Sequence, residues 1–454
     1  MVFSKSSSTN DVTVKNTAEK DIPRKIDIPS KTPNYLYTSK RRSGKDGQID
    51  PAVRQFAIEY RKQPMAEQTM SHSFLVKYIP FKSSVRCYEE YVSFNKKIRI
   101  GRLLEDIDDI GGAIAARHIE RMGPSDICAN FTVGMEQTYM NIPDTIEDYK
   151  LTGHIAYTKD SLLIGVITLE VVKDEQIPDN AGIFHPSNIP SLGVSNPNAV
   201  AEFSVVSIHI DSFTKKAIPV VQLKLTTFHE QWLFDKTGSI HDSRREIVKK
   251  RRDRQKIHLD NNHIFRSIST RDIGKGVIDD RLTSGGVSIS DTRIENNATT
   301  TPQQMNGNGT IFGGYIMRDA FELATTEAAL FLLSPEFETL KINDISFLSP
   351  ILTGDHIRTS ARVIYSNSPL SGDFVVRVEV DKRSIESSDY KPAVIMHISF
   401  VSVSQSVEIK KIVPSTHEEM ELWLNGYDIV QQKNKHLLES LTGTKDPGFS
   451  LSKL

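Results

Sequence analysis

The chain has 454 residues, of which 38% are hydrophobic and 25% charged, with a formal net charge of −1 at pH 7. This length predicts two or three domains. A nearly neutral chain gives no reason to expect nucleic acid or an anionic membrane as partner, and no run approaches the roughly 18 apolar residues of a membrane span. With only two cysteines, Cys87 and Cys128, a disulfide framework and a cysteine-rich zinc site are excluded, and a reducing compartment is favoured.

Residues 1–70 are polar, rich in Ser, Lys and Thr, and lack sustained periodicity. We predict a disordered or targeting extension there. Its first ten residues, MVFSKSSSTN, are Ser-rich and contain no acid, which resembles an organelle transit peptide weakly.

The rest of the chain divides into two structured segments, a linker and a tail. Residues 71–230 and 291–425 alternate between strand-like and helix-like patterns, and 426–454 forms a short tail. The linker, 231–290, is highly charged, and the pattern of its segment HDSRREIVKKRRDRQKIHLD indicates a surface helix. The basic run KKRRDRQK within it (249–256) resembles a nuclear signal or a nucleic-acid patch, but such a run is more often a solvated helix face.

The two structured segments repeat one another. GRLLEDIDDIGGAIAARHI, beginning at Gly101, aligns with GYIMRDAFELATTEAALFL, beginning at Gly314. LTG at Leu151 recurs at Leu352, and FSVVSI at Phe203 recurs as ISFVSV. Three weak matches in the same order indicate a tandem duplication.

Each copy predicts one long helix followed by several strands. In the second copy, FVVRVEV alternates apolar and polar residues with the period of two that is typical of a half-buried antiparallel strand. A sheet that curls around a single helix buries the apolar surfaces of both. We therefore predict an α+β fold in which each copy is a curved antiparallel sheet wrapped around one long helix.

The helix of the first copy carries an acid on its apolar side. At 3.6 residues per turn, Asp108 shares a face with Leu104 and Ala115, whereas Asp106 and Asp109 fall elsewhere. Of the three acids, only Asp108 is therefore expected to be buried. Burial raises the pKa of a carboxyl group and suits it to act as a general base; a purely structural, hydrogen-bonded carboxylate is the alternative.

The second copy differs at the matching positions. Phe321 stands where the first copy has Asp108, and Asn306, eight residues before Gly314, matches Ser93. An Asp in one copy and an Asn in the other predict a single composite site across a pseudo-twofold interface. The counterpart with Ser93 and Phe321 is then expected to be inactive.

Two glycines, Gly313 and Gly314, open the second helix. They allow close approach of the backbone and leave unpaired N–H groups at a helix N-terminus, which stabilises a phosphate or a developing oxyanion. Simple packing against a sheet explains them equally well, and their spacing fits neither a dinucleotide-binding motif nor a P-loop. HEQW at His229 lacks the second His of a zinc protease, so no metal is predicted, and His118 is expected to be structural.

Two of these motifs resemble a known family. IFGGYIMRDAFELA, preceded by Asn306, resembles the second hotdog domain of acyl-coenzyme A thioesterases, and IRIGRLLEDIDDIGGAIAARHI resembles the first hotdog domain of their mitochondrial acyl-CoA thioesterase 9 type. The similarity covers about residues 80–425 in the same order. It implies two tandem hotdog domains forming a pseudodimer that hydrolyses fatty acyl-CoA to fatty acid and coenzyme A, with no cofactor. It also implies a homo-oligomer, such as a trimer of double hotdogs, and a mitochondrial or otherwise a cytoplasmic location.

By position, the resemblance implies catalytic roles for Asp108 and Asn306. Asp108 would act as general base or orient the attacking water, and Asn306 would position the reacting groups. The first turn at Gly313, Gly314 and Tyr315 would bind the substrate, and its backbone N–H groups would polarise the thioester carbonyl.

Several alternatives stay open. If the alignment of the glycine-rich turn with the family shifts by two residues, Asn308 is the functional amide. Asn306 is favoured, because Gly309 three residues later gives the Asn-x-x-Gly spacing of relatives. The protein could bind acyl-CoA without turnover, as a regulatory protein, or act as an enoyl-CoA hydratase, which generally needs a well-placed His that neither helix has. The run 249–256 could meet the 3′-phosphate of coenzyme A, and the acyl chain length is not predicted.

Overall fold

The computed structural model describes residues 67–119, 128–173, 177, 182–194, 196–211, 214, 216–260, 286–307, 309–366, 372–404, 407 and 409–442. At 128, 248–260 and 432–442 it describes the backbone alone. Nearly all of the predicted extension 1–70, and Asn308, lie outside the described residues.

Five α-helices lie in the described part of the chain. They are α1 (Val85–Tyr91), α2 (Ile100–His118), α3 (Phe228–Asp260), α4 (Gly313–Leu332) and α5 (His417–Thr442). The helices α2 and α4 are the two long helices that the repeat predicts, one in each copy.

Thirteen strands lie in the same part of the chain. They are β1 (Gln68–Thr69), β2 (Leu75–Ile79), β3 (Cys128–Met140), β4 (Tyr149–Lys159), β5 (Leu162–Val171), β6 (Ile183–Phe184), β7 (Ala199–Asp211), β8 (Leu223–Lys224), β9 (Ile294–Thr299), β10 (Phe337–Phe347), β11 (His356–Ser366), β12 (Asp373–Arg383) and β13 (Lys391–Ser402).

Eleven of these strands form one antiparallel sheet, in the order β6-β2-β4-β5-β7-β3-β10-β13-β12-β11-β9. The strands β1 and β8 form a separate parallel pair. In β12, Val376, Val378 and Val380 are buried in the core, and Arg377 and Glu379 between them pair with each other at 2.7 Å, as the alternating pattern predicts. The molecule is therefore a mixed α/β structure with a large antiparallel sheet and few helices.

The sheet has the same strand order on both sides of its centre. Outward from the β3–β10 junction, one half runs β3, β7, β5, β4, β2 and the other runs β10, β13, β12, β11, β9. The junction itself is short, with Ile345 paired to Met135 and Ser346 paired to Gly134. In each half, the long helix precedes the innermost strand along the chain.

Local hydrogen bonds repeat with the strands. The hydroxyl of Ser73 accepts the N–H of Ile155 at 2.9 Å, and in the second half the hydroxyl of Thr292 accepts the N–H of Val363 at 2.9 Å. Each hydroxyl sits in a short 3-10 turn directly before the first strand of its half. The repetition therefore extends beyond the motifs visible in the sequence.

The outer helices α3 and α5 also begin alike. The carboxylate of Glu230 accepts the backbone N–H of Thr226 at 2.6 Å, and that of Glu419 accepts the backbone N–H of Ser415 at 2.6 Å. A carboxylate in the first turn that satisfies free N–H groups stabilises a helix start. Each of these helices packs against the matching strand of its half, α3 on β4 and α5 on β11.

The core lies between the sheet and the helices α2 and α4, which also contact each other. Leu103 and Ile107 of α2 and Met317 of α4 are fully buried. Each such side chain contributes about 1.5–3 kcal/mol when removed from water. This burial holds the starts of the two helices close together.

The predicted domain boundaries stay a prediction. Helix α3 begins at Phe228, three residues before the predicted linker 231–290, and α5 crosses the boundary between 291–425 and the tail 426–454. Among the described residues, no helix has the length and apolar character needed to cross a membrane.

Candidate active site

The helix α2 carries two buried acids rather than one. Leu104, Asp108 and Ala115 are buried, as the helical period predicts, but Asp106 is buried as well. The expectation that only Asp108 would be buried was wrong. Asp106 is buried because it has a partner: the ammonium of Lys77 lies 2.6 Å from its carboxylate.

The Asp106 carboxylate belongs to a structural ion pair. Lys77 also contacts Asp109 at 2.7 Å, and the hydroxyl of Tyr91 donates to Asp106. Lys77 lies on β2, which precedes α2 in the chain. The helical period of α2 does not show which strand packs against it. The buried ammonium of Lys77 compensates the charge of the buried Asp106 carboxylate, and the side chain of Asp109 is partly exposed to water. This group therefore has a structural role.

Asp108 has a different environment, made of uncharged donors. The backbone N–H of Gly314, at the start of α4, donates to its Oδ2 at 2.7 Å. The hydroxyl of Thr132, on β3, donates to its Oδ1 at 2.9 Å. The two hydrogen bonds fix the carboxylate at the place where the two long helices meet.

Burial raises the pKa of Asp108 to about 6, and the nearby charges of Asp109 and Glu105 add to the rise. The hydrogen bonds from Thr132 and Gly314 act in the opposite direction, because they stabilise the charged form. A carboxyl group with this pKa is largely ionised at neutral pH and still basic enough to accept a proton from water.

The two glycines at the start of α4 allow this close contact. A Cβ at Gly313 would lie 3.0 Å from Oδ2 of Asp108, and one at Gly314 would lie 2.9 Å from Cα of Glu105. The structure therefore brings Asp108, Gly313 and Gly314 together. The N–H of Gly314, which the sequence assigned to the thioester carbonyl, is bonded to the Asp108 carboxylate instead.

An ion pair beside the site joins the same two helices. The guanidinium of Arg318 on α4 contacts the carboxylate of Glu105 on α2 at 2.6 Å. Arg102 contacts the same carboxylate. Tyr315 lies on this side of α4, half-buried, with Arg318 over its ring at 5.4 Å from the centroid; burial is the main cause that raises the pKa of its hydroxyl.

Asn306 lies in the loop that leads into α4. Its side-chain amide donates to the hydroxyl of Thr310 at 2.9 Å, and its side-chain oxygen accepts the N–H of Thr310 at 3.1 Å. The same loop has Gly309 at φ +79°, a conformation that favours glycine. Within the described residues, Asn306 is not among the hydrogen-bond partners of Asp108.

Thr132 is the residue of this site that the sequence did not indicate. It lies 24 residues beyond Asp108, on the strand that follows the helix, and no motif marks it. Only the pairing of β3 within the sheet brings its hydroxyl to the carboxylate.

The other predicted features fall outside this site. His118 is buried, its Nε2 lies 2.9 Å from the carbonyl oxygen of Val221, and burial lowers the pKa of its ring to about 4, which fits a structural role. Among the described residues, no group of three or more His, Cys, Asp or Glu side chains could hold a metal ion. The side chains of the run 249–256 lie outside the described ones.

No family model matches the sequence, but curated proteins are similar to it. The chain is 27% identical over 344 residues to acyl-coenzyme A thioesterase 2, chloroplastic, of Humulus lupulus, which covers 73% of this chain and 74% of the relative. It is 29% identical over 345 residues to acyl-coenzyme A thioesterase 4, mitochondrial, of the same organism, covering 73% of this chain and 61% of that one. It is 26% identical over 416 residues to acyl-coenzyme A thioesterase 10, mitochondrial, of Mus musculus, and the match covers 85% of this chain and 86% of that one.

These similarities confirm the resemblance found in the motifs. Curated proteins similar to the chain are acyl-CoA thioesterases 2, 4, 9 and 10, at 24–29% identity. Among solved structures, an acyl-CoA hydrolase from Staphylococcus aureus matches with a TM-score of 0.31 and 22% identity over 34% of this chain and 94% of that chain. An acyl-ACP thioesterase from Bacteroides thetaiotaomicron matches with a TM-score of 0.40 and 9% identity over 73% of this chain and 100% of that chain. Both TM-scores are too low to define a fold.

Proposed function

We propose that this protein hydrolyses acyl-CoA thioesters, releasing a fatty acid and coenzyme A. The observation that carries the proposal is the buried Asp108 carboxylate, held between the N–H of Gly314 and the hydroxyl of Thr132, with its pKa raised to about 6. The similarity of the chain to acyl-CoA thioesterases supports the choice of substrate.

We propose further that the chain consists of two tandem hotdog domains that form a pseudodimer. The matching strand orders on the two sides of the β3–β10 junction support this architecture, as do the matching hydrogen bonds of Ser73 and Thr292. In this arrangement α2 and α4 are the central helices of the two domains. The site is then composite, with the carboxylate from the first domain and the helix start from the second.

In the proposed reaction, a water molecule attacks the carbonyl carbon of the thioester. Each oxygen of Asp108 accepts one hydrogen bond from the protein and keeps a lone pair for the water, so the carboxylate can orient the water and take its proton. The carbon–sulfur bond breaks, the proton held by Asp108 passes to the leaving thiolate, and the acyl group leaves as a carboxylic acid, which releases its remaining proton to solvent. The reaction written in this way requires no cofactor.

The remaining predicted residues have supporting roles in this proposal. The N–H of Gly314 holds the base, so the other free N–H groups of the first helical turn, at Gly313 and Tyr315, are the donors for the carbonyl oxygen. Asn306, on the loop leading into that turn, positions the thioester.

Asp108→Asn tests the proposal. The side chain keeps its size and can still hydrogen-bond Gly314 and Thr132, but it cannot accept a proton. We expect thiol release from a panel of acyl-CoA esters to fall by at least about 100-fold, as for loss of a general base, with little change in affinity for the ester. In the unaltered protein, turnover should rise with pH through about 6, where Asp108 ionises.

Equal turnover of Asp108→Asn and the unaltered protein would remove Asp108 from the chemistry. Absence of thiol release from every ester, with ester binding retained, would instead identify a non-catalytic acyl-CoA-binding protein.

We propose a mitochondrial location, because thioesterases 4, 9 and 10 among the similar proteins are mitochondrial, although thioesterase 2 is chloroplastic. Fusing residues 1–70 to a fluorescent reporter should direct it to mitochondria. A reporter that stays diffuse in the cytoplasm would contradict this location.

A further inference from the structure

A cavity of about 470 Å³ lies away from Asp108, between the first half of the chain and α4. Ser93 and Phe321 both line it. These are the residues that match Asn306 and Asp108 in the repeat, so the cavity occupies the second, pseudo-symmetric position. Its size falls within the range of small-molecule sites, about 300–1,000 Å³.

One part of the cavity wall is apolar. Phe321 and Phe337 are almost fully buried there, and Phe337 packs against the exposed Phe94 at the mouth, with ring centroids 6.3 Å apart. Further apolar lining side chains come from the segments on either side of α2: Val92, Ile98, Met140 and Ile142. This wall suits an alkyl chain, since removal of apolar surface from water is favourable.

The rim carries charges of both signs. The ammonium of Lys97 contacts Asp144 and Glu338, each at 2.7 Å, and the guanidinium of Arg99 contacts Glu322 at 2.7 Å. Two cations and three acids therefore line the cavity. The excess of acid disfavours the several phosphate charges of coenzyme A. A single carboxylate adds only one negative charge, and an acid that it displaces into water is screened there.

Asp144 is the acid most easily replaced. Its side chain is 80% exposed, and an ion pair so open to water adds little stability. A ligand carboxylate can therefore take the place of Asp144 beside Lys97 at little cost, while its alkyl chain covers Phe321 and Phe337.

We propose that this cavity binds a free fatty acid, with the carboxylate at Lys97 and the chain on the apolar wall. The choice of a fatty acid as the physiological ligand rests on the proposed function, because fatty acid is the product of that reaction. Phe321 stands at the position that corresponds to Asp108 in the repeat. The carboxylate proposed as the base is therefore missing from that position, and the ligand binds in this cavity without reacting.

The test is calorimetric titration of the full-length protein with dodecanoate, after saturation of the Asp108 site with the non-hydrolysable thioether dodecyl-CoA. Thr326→Trp places a bulky ring on an exposed lining position of α4. Leu330→Trp is the matched control, since Leu330 is exposed on the next turn of the same helix and does not line the cavity. We expect Thr326→Trp to weaken dodecanoate binding at least tenfold, Lys97→Met to weaken it as well, and Leu330→Trp to leave it unchanged.

Three results would overturn the proposal. They are no binding of dodecanoate to the unaltered protein, equal binding of dodecanoate to Thr326→Trp and Leu330→Trp, and loss of thioether binding rather than dodecanoate binding in Thr326→Trp. Thiol release by Thr326→Trp is measured alongside and should stay normal. A protein that binds dodecanoate at the cavity but releases no thiol would refute the proposed function and leave this inference standing.

Discussion

At the scale of single residues, two buried acids two positions apart on α2 have different chemistry. Asp106 lies against the ammonium of Lys77, so its negative charge is compensated inside the protein. Asp108 has only the uncharged donors of Thr132 and Gly314. Burial without a cation is what leaves Asp108 able to exchange a proton near neutral pH.

The raised pKa of Asp108 makes the stability of the protein depend on pH. Because the folded pKa, about 6, exceeds the usual 3.8, the folded state binds the proton more tightly than the unfolded state. This contribution to stability is present at low pH and is lost as pH rises through about 6. Asp108→Asn removes the ionisation, so its stability relative to the unaltered protein should increase by up to ~3 kcal/mol between pH 4 and pH 8.

Urea unfolding of both proteins at the two pH values measures this difference. Glu89→Gln, at an exposed position on α1, is the control for replacing a carboxyl group by an amide. If the gap between Asp108→Asn and the unaltered protein were the same at pH 4 and pH 8, folding would not raise the pKa of Asp108.

The residue pattern predicted the burial of Asp108. It did not predict the hydroxyl of Thr132 beside Asp108 or the ammonium of Lys77 beside Asp106. A helical period identifies which side of α2 faces the core, because side chains four residues apart lie on one face. It cannot identify Lys77 or Thr132, which reach α2 from strands before and after it. For the same reason, the burial of Asp106 beside Lys77 did not follow from the helix alone.

At the scale of elements, the crossing of α2 and α4 depends on one glycine from each helix. A Cβ at Gly101 would lie 3.2 Å from the carbonyl oxygen of Arg318, and one at Gly314 would lie 2.9 Å from Cα of Glu105. The two contacts correspond under the repeat, since Glu105 in one copy matches Arg318 in the other. Close approach of the backbones is what brings the N–H of Gly314 to Asp108.

Gly314→Ala should therefore push the helices apart. The added methyl group would meet the ring of Phe312 and the backbone of Glu105, so we expect a loss of stability of about 1–3 kcal/mol, as for overpacking, together with a large loss of thiol release. Gly112→Ala is the matched helix variant, since a Cβ at Gly112 would meet nothing within 4 Å. It should stabilise α2 by about 0.5–1 kcal/mol.

Thermal unfolding and thiol release, measured on both variants, test this account. Gly314→Ala with normal stability and normal turnover would mean that the close contact of the two helices is dispensable.

The elements themselves followed largely from the sequence. The alternating valines of β12 and the two long helices have periods that local residues determine. The similar starts of α3 and α5 were not predicted. There Glu230 and Glu419 accept backbone N–H groups of Thr226 and Ser415. Both starts carry the Thr-x-x-Glu spacing of a capping box, so this similarity was visible in the sequence and was missed.

At the scale of the whole molecule, the two halves of the sheet meet at only two residue pairs between β3 and β10. The contact of α2 with α4 and the ion pair between Glu105 and Arg318 join the same halves. The halves therefore share one core, and neither half alone contains both Asp108 and Gly314.

The resemblance to acyl-CoA thioesterases further predicts that three copies of this chain form a trimer. Light scattering coupled to size-exclusion chromatography should give three times the 51.0 kDa of one chain. A mass equal to one chain at all concentrations would contradict the trimer without bearing on the proposed composite site, which lies within one chain.

The sequence by itself determined the repeat, the two long helices and the apolar side of α2 that carries Asp108, because periodicity and spacing are properties of neighbouring residues. Only the tertiary structure decided which groups meet: the N–H of Gly314 and the hydroxyl of Thr132 at Asp108, the ammonium of Lys77 at Asp106, and a cavity at Ser93 and Phe321. Such contacts join residues 24 to 228 positions apart in the chain. Strand order and helix crossing bring them together, and neither is encoded in any local pattern.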